Sequence, residues 1–106
     1  MAKLIIAPSA ENDINSIVDY ITFELHNPEA ANGLLDDVEE AYDTLETLPS
    51  SFPLCDDAYL RANGYRQVSI KNYLMIYRVE EVDDIVRILH FYHSTQDYLA
   101  KLMVEL

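Results

Sequence analysis

The fold is decided by residues 65–93, YRQVSIKNYLMIYRVEEVDDIVRILHFYH, in which apolar and polar side chains alternate with a period of two. This alternation is typical of β-strands. Two interruptions, Lys71-Asn72 and the acidic segment 80–84, are short enough to force the strands on either side to run antiparallel. The stretch therefore predicts a three-stranded meander, with strands at residues 65–70, 73–79 and 85–92.

The N-terminal half predicts one short strand followed by two helices. The strand is the apolar segment 3–7, which Pro8 ends, and Ser9 is expected to cap the first helix through its hydroxyl. This helix should stop near His26, where Asn27-Pro28 supplies the cap and the first residue of the second helix. Apolar side chains recur along both helices at spacings of three and four. They are Ile14, Ile17, Val18, Ile21 and Leu25 in the first helix, and Ala31, Leu34, Leu35, Val38, Tyr42, Leu45 and Leu48 in the second.

The elements follow the order strand, helix, helix, strand, strand, strand. The meander and the N-terminal strand predict a four-stranded sheet, and the antiparallel helical hairpin is the element available to cover its apolar face. We therefore predict a single two-layer α+β domain over residues 1–106, with the other face of the sheet comparatively open. The long connection 49–64 is expected to contain a short helix near residues 56–63. A last half-turn or short helix is expected at residues 97–106.

Charge is segregated along the chain. The net charge is −12, and residues 4–60 contain thirteen acidic residues but no Lys or Arg, whereas residues 61–78 contain four basic residues and no acid. The negative charge repels free nucleic acid at long range. Two interpretations stay open: the acidic helices only keep the protein soluble, or the folded domain has one locally basic face.

Several classes of protein lack their signature in this sequence. A lone Cys55 excludes an internal disulfide, and the chain has neither an apolar run long enough to span a membrane nor a signal peptide. We therefore expect a cytoplasmic protein without membrane association. Two glycines cannot build a phosphate-binding loop, and His90 and His93 should point to opposite sides of a strand, which disfavours metal binding. We expect no metal and no organic cofactor.

Groups with acid–base capacity are densest in the last strand, at His90-Phe91-Tyr92-His93. Histidine moves protons near neutral pH, aromatic rings stack on bases, and an arginine neutralises a phosphate, so such a set can cleave RNA through its own 2′-hydroxyl. The competing interpretation makes His90 and Tyr92 core residues on the helix-facing side. Strict alternation puts Val86, Ile88, His90 and Tyr92 on one face and Ile85, Arg87, Leu89, Phe91 and His93 on the other.

Segments spread over nearly the whole chain are similar to a known family. They are residues 6–14 and 17–21 in the first strand and helix, 27–31 between the helices, 64–66, 73–79 and 86–90 in the meander, and 93–98 at its close. In this order and spacing they resemble the RelE/ParE toxins of bacterial type II toxin–antitoxin (plasmid stabilisation) systems. The resemblance implies a growth-inhibiting toxin neutralised by a cognate antitoxin, with either the ribosome and its mRNA or DNA gyrase as target.

For a ribosome-dependent mRNA endonuclease, four catalytic residues are expected: Arg66, Arg78, Tyr92 and His93. Arg66 stands where RelE-like members carry a basic strand residue, and some ribonucleases of the family use a His–Tyr pair near the C-terminus. The chain departs from that pattern, since Val68 and Leu74 replace expected cations and the closing segment lacks arginine. Without these cations, the chain lacks groups that would stabilise the negative charge of the transition state. The alternatives are therefore a ParE-like gyrase poison with no chemistry of its own, or a degenerate antitoxin-binding module.

Overall fold

The computed structural model describes residues 1–94, so the short helix expected at residues 97–106 lies outside the described part. The predicted order of strands and helices is confirmed. The elements are β1 (Lys3–Ile6), α1 (Pro8–Asp19), a π-helical turn (Tyr20–Glu24), α2 (Pro28–Thr47), α3 (Ala58–Ala62), β2 (Tyr65–Ile70), β3 (Tyr73–Glu80) and β4 (Ile85–His93). No helix within residues 1–94 is long and apolar enough to cross a membrane.

The four strands form one mixed sheet in the order β1-β4-β3-β2. β2, β3 and β4 are the predicted antiparallel meander, and β1 runs parallel to β4 beside its N-terminal half, ending where Ile6 lies opposite Ile88. The outer edge of β2 is partly covered by the preceding connection, because Cys55 N donates to Tyr65 O (2.9 Å) and Gln67 N donates to Pro53 O (3.1 Å). These bonds satisfy backbone groups that an edge strand otherwise exposes.

A β-bulge in β4 makes the strict alternation predicted for this strand wrong beyond Ile88. Tyr77 lies opposite Ile88, but the preceding residue Ile76 lies opposite His90, so Leu89 is the extra residue. An extra residue shifts every later side chain to the other face. Phe91 therefore joins the helix-facing core together with Ile88, whereas His90 faces the opposite side.

The main core lies between the sheet and the helical hairpin, as predicted. Its buried side chains include Ile14, Leu34, Val38 and Leu45 from the helices and Val68, Met75, Tyr77, Val86, Ile88 and Phe91 from the strands. The expectation of a comparatively open second face is wrong for part of the sheet. Cys55 and Leu60, from the connection and its helix α3, pack there against Tyr65 and Ile76 and are fully buried.

The two long helices begin differently from one another. Asn27 caps α2 as predicted, since its side chain accepts a hydrogen bond from Ala30 N (3.1 Å) and Pro28 follows as the first helical residue. The predicted Ser9 cap is wrong, because α1 already begins at Pro8 and the Ser9 hydroxyl instead donates to Leu89 O (2.8 Å). Ser9 thus ties α1 to the bulged residue of β4.

The helical segment after α1 widens into the single π-helical turn, in which Leu25 N donates to Tyr20 O (3.1 Å). A π-helical turn holds one residue more than an α-helical turn. Leu25 is consequently rotated out of the apolar stripe and is 55% exposed, contrary to its predicted place in the core. The π-helical turn ends at Glu24, near the predicted end at His26, and the φ of 51° at His26 cannot continue a right-handed helix.

Candidate functional site

Tyr92 and His90 form a buried pair on the sheet face opposite the helical hairpin. The Tyr92 hydroxyl lies 2.9 Å from His90 Nδ1, and the two rings stack with centroids 5.2 Å apart and an angle of 12° between their planes. The two residues are only 5% and 7% exposed. The interpretation of both as buried side chains is therefore confirmed, but they lie on the face away from the helices because of the β-bulge.

His93 projects to the other side of the sheet from Tyr92. Its ring meets the Tyr73 ring edge-on, with centroids 5.3 Å apart at 83°, and Tyr73 in turn stacks on Phe91 at 5.3 Å. Tyr73 and Phe91 both pack into the helix-facing core. The adjacent Tyr92 and His93 are thus separated by the sheet itself.

Arg66 holds the connection that leads from α2 towards α3. Its Nη1 donates to Phe52 O at 2.7 Å and to Ser50 O at 3.4 Å. The Tyr77 hydroxyl donates to Pro49 O (2.8 Å), one residue before this segment, and burial raises the pKa of Tyr77 to about 12. The Arg66 guanidinium is therefore already engaged with backbone carbonyls.

Arg78 is exposed on the face opposite the helical hairpin. Its guanidinium carbon lies 5.6 Å from the centroid of the Tyr65 ring, within range of a cation–π interaction. Arg87 is its register partner on β4, and Arg87 forms an ion pair with Glu80. Two cations thus lie side by side at this end of the sheet, and a carboxylate neutralises one of them.

The four candidate catalytic residues do not converge on one point. Arg66 lies opposite Tyr77 and His93 opposite Tyr73, so these two are separated by four residues of β3, or roughly 13 Å along the strand. Arg78 and Tyr92 occupy the other face and are also separated by four residues of β3, since Tyr92 lies opposite Leu74. Each face of the sheet therefore carries two of the four candidate residues, and the two on one face lie far from each other.

Other chemistry has little support among residues 1–94. No group of three or more His, Cys, Asp or Glu side chains in this part of the chain is arranged to hold a metal ion. Cys55 is fully buried, and its burial, reinforced by Asp56 and Asp57, raises the pKa of its thiol to about 11. A thiol with so high a pKa is almost entirely protonated near neutral pH and is a poor nucleophile.

Two apolar features on the surface of residues 1–94 suit contacts with other proteins. One is a groove of about 240 Å³ between α1 and α2, with Ile14, Leu35 and Val38 in its lining and the acidic Glu11 and Glu39 beside them. The other is a set of exposed apolar side chains in the π-helical turn and just after it, which the sequence analysis did not single out. A signal was present: Tyr20 and Phe23 are apolar although they lie outside the core stripe of the helix.

Solved structures of similar fold show which class of proteins shares this architecture. A chromosomal ParDE toxin–antitoxin system from P. aeruginosa has a chain that is 20% identical with a TM-score of 0.69, over 88% of this chain and 96% of that one. A chain of the RelBE2 toxin–antitoxin complex from Mycobacterium tuberculosis is 18% identical with a TM-score of 0.61, over 87% and 96%. One from the archaeal RelE–RelB complex of Pyrococcus horikoshii is 17% identical with a TM-score of 0.60, over 90% and 97%. The fold is therefore that of the RelE/ParE toxins.

The family to which the chain belongs is defined more narrowly than this fold. A family model described as the ParE toxin of the type II toxin–antitoxin system parDE matches residues 4–98, and the chain belongs to this family. The resemblance predicted from the sequence is thus confirmed. No curated protein matches the chain.

Proposed function

We propose that this protein is a toxin that inhibits growth by binding and poisoning DNA gyrase, without bond-making or bond-breaking chemistry of its own. The observation that carries the proposal is the separation of the four candidate catalytic residues over both faces of the sheet. RNA cleavage requires the proton-transfer groups and the transition-state cation to surround one phosphate. Arg66 is moreover occupied by two backbone carbonyls. Membership of the ParE toxin family favours the same choice.

The charge distribution supports an enzyme that handles DNA as the target. Such an enzyme must present Lys and Arg to bind phosphates, and a protein with net charge −12 is attracted to that surface. The decoding site of a ribosome is built largely of anionic RNA, which repels this protein. Exposed acidic residues of α2 contribute to this charge, and they include Asp36, Glu39, Glu40 and Asp43.

We further propose that a cognate antitoxin neutralises the toxin by binding in the groove between α1 and α2. The similar chains from M. tuberculosis and P. horikoshii come from toxin–antitoxin complexes. The groove offers apolar contacts from Ile14 and Val38 and carboxylates from Glu11 and Glu39. An amphipathic antitoxin segment that carries Lys or Arg beside its apolar residues complements both features.

The decisive experiment compares the two targets with one preparation of the purified protein. Gyrase is assayed for loss of DNA supercoiling and for trapped DNA cleavage, and mRNA 5′ ends are mapped on ribosomes incubated with the toxin. We expect gyrase inhibition that the antitoxin reverses, together with intact mRNA. Cleavage within the ribosomal A-site codon, lost on His93→Ala, would instead establish the endonuclease. Inactivity in both assays would support an antitoxin-binding module without toxicity.

A further inference from the structure

Three large apolar side chains that lie close together in the sequence are exposed at the end of the helical hairpin. Tyr20, Phe23 and Leu25 are 55%, 67% and 55% exposed, and we call them the hairpin-end patch. They lie within or just before an exposed stretch, since every residue from 23 to 30 is exposed. Single exposed apolar residues are ordinary on protein surfaces, but a cluster of large ones indicates an interaction site.

The π-helical turn creates this patch. In a regular α-helix Leu25 would follow Ile21 by four residues and would share its core-facing side. The extra residue of the π-helical turn instead places Leu25 one turn above Tyr20, to whose carbonyl it donates a hydrogen bond. Leu25 is thereby turned out of the apolar stripe and is 55% exposed, at the rim of a groove that Ile21 and Tyr73 also line. Single π-helical turns are frequent at functional sites.

The patch is surrounded by negative charge. Asp19 and Glu24 flank its residues in the chain and Glu29 follows on α2, and all three are exposed. Lys71 lines an adjoining groove together with Leu25, but its ammonium pairs with Asp37 Oδ2 at 3.1 Å. A second copy of this chain would bring the same carboxylates against each other. The charge therefore favours a partner with an apolar pocket bordered by Lys and Arg.

We propose that the hairpin-end patch is the surface that contacts gyrase, entering an apolar pocket beside the enzyme's basic DNA-binding surface. This inference rests on the proposed gyrase target and adds to it the residues that make the contact. The position of the patch separates this contact from antitoxin binding, because none of its three residues lines the groove between α1 and α2.

The test uses purified gyrase, the full-length toxin and its cognate antitoxin. Tyr20→Ser/Phe23→Ser removes two aromatic anchors, and Val82→Ser is the matched control because Val82 is 99% exposed on the β3–β4 turn. Loss of one interface hot spot weakens binding by about tenfold or more. We therefore expect the double variant to need at least about tenfold more protein for half-maximal gyrase inhibition, with antitoxin affinity and thermal stability unchanged. Val82→Ser should match the wild type.

A charge-reversed pair tests the acidic surroundings of the patch. Glu24→Lys and Glu81→Lys change the net charge equally, and both residues are exposed, but only Glu24 adjoins the patch. We expect Glu24→Lys to weaken gyrase binding by more than Glu81→Lys does at the same salt concentration.

The outcomes separate this inference from the proposed target. A wild-type protein that leaves gyrase active would refute the target itself. If the wild type poisons gyrase and the double variant does so equally well, the hairpin-end patch is not the contact. Loss of antitoxin affinity with retained gyrase inhibition would reassign the patch to the antitoxin. Dimers that are present in the wild type and lost in the double variant would reassign it to a second copy.

Discussion

Replacing Arg66 distinguishes a structural role from a catalytic one. Its Nη1 donates to Phe52 O at 2.7 Å and to Ser50 O at 3.4 Å, and the residue is half-buried. A hydrogen bond to a charged group contributes about 1.5–3 kcal/mol. Because the second contact is long and solvent reaches the guanidinium, Arg66→Ala should lower the free energy of unfolding by about 2 kcal/mol.

The assay is urea denaturation followed by circular dichroism, in which the midpoint reports stability when the slope is unchanged. Arg78→Ala is the matched control, since it removes the same charge from an exposed residue whose described contact is the Tyr65 ring. An exposed cation–π contact contributes about 0.5–1 kcal/mol, so this variant should be the more stable of the two.

Activity completes the test. If Arg66 only anchors residues 50–52, the folded fraction of Arg66→Ala should inhibit growth as strongly as the wild type does, and Arg66→Lys should recover part of the stability. The structural reasoning would be refuted by an Arg66→Ala protein that unfolds at the wild-type urea concentration and has lost its toxicity. That result would instead indicate that Arg66 acts directly on the target of the toxin.

Three further predictions concern stability. Asn27→Ala removes the cap of α2 and should lower the free energy of unfolding by about 1 kcal/mol, whereas Asn27→Asp keeps the acceptor and should not; thermal denaturation distinguishes them. Burial raises the pKa values of Tyr42 and Tyr77 from 10.0 to about 12. The contribution of these two tyrosines to the free energy of unfolding is therefore complete below pH 10 and is lost as the pH rises towards 12. The urea midpoint should fall across this pH range, and it should fall less steeply in the Tyr42→Phe and Tyr77→Phe variants. Tyr92→Phe removes a buried hydroxyl bonded to a histidine and should destabilise by about 1 kcal/mol, which chemical denaturation can measure.

The sequence predicted the bounds of β2 without error and those of β3 and β4 to within one residue. The reason is local: alternation records which side chains are buried, and the turns between the strands are short. The start of α2 was predictable for a similar reason, because Asn27 and Pro28 act on the backbone beside them. The position of β1 within the sheet was not predictable, because a strand's neighbours depend on contacts with residues far away in the chain.

The candidate site was harder to predict than the elements that carry it. Alternation assigns a side chain to one face of its own strand, but it does not give the register between strands, and the separation of Arg66 from His93 is set by register. The engagement of Arg66 with Phe52 and Ser50 depends on the path of an irregular connection. Neither leaves a periodic signal in the sequence.

Two differences between the predicted and the observed structure have one physical cause, which is a single extra residue inside a regular element. In β4 the bulge at Leu89 turns His90 and Tyr92 away from the helices, and in the hairpin the π-helical turn brings Leu25 to the surface. Periodicity assumes an uninterrupted element, so it fails beyond such an insertion. An insertion weakens the element that contains it and persists when the exposed or redirected side chains are used. The hairpin-end patch is therefore where substitutions that spare stability should most reduce toxicity.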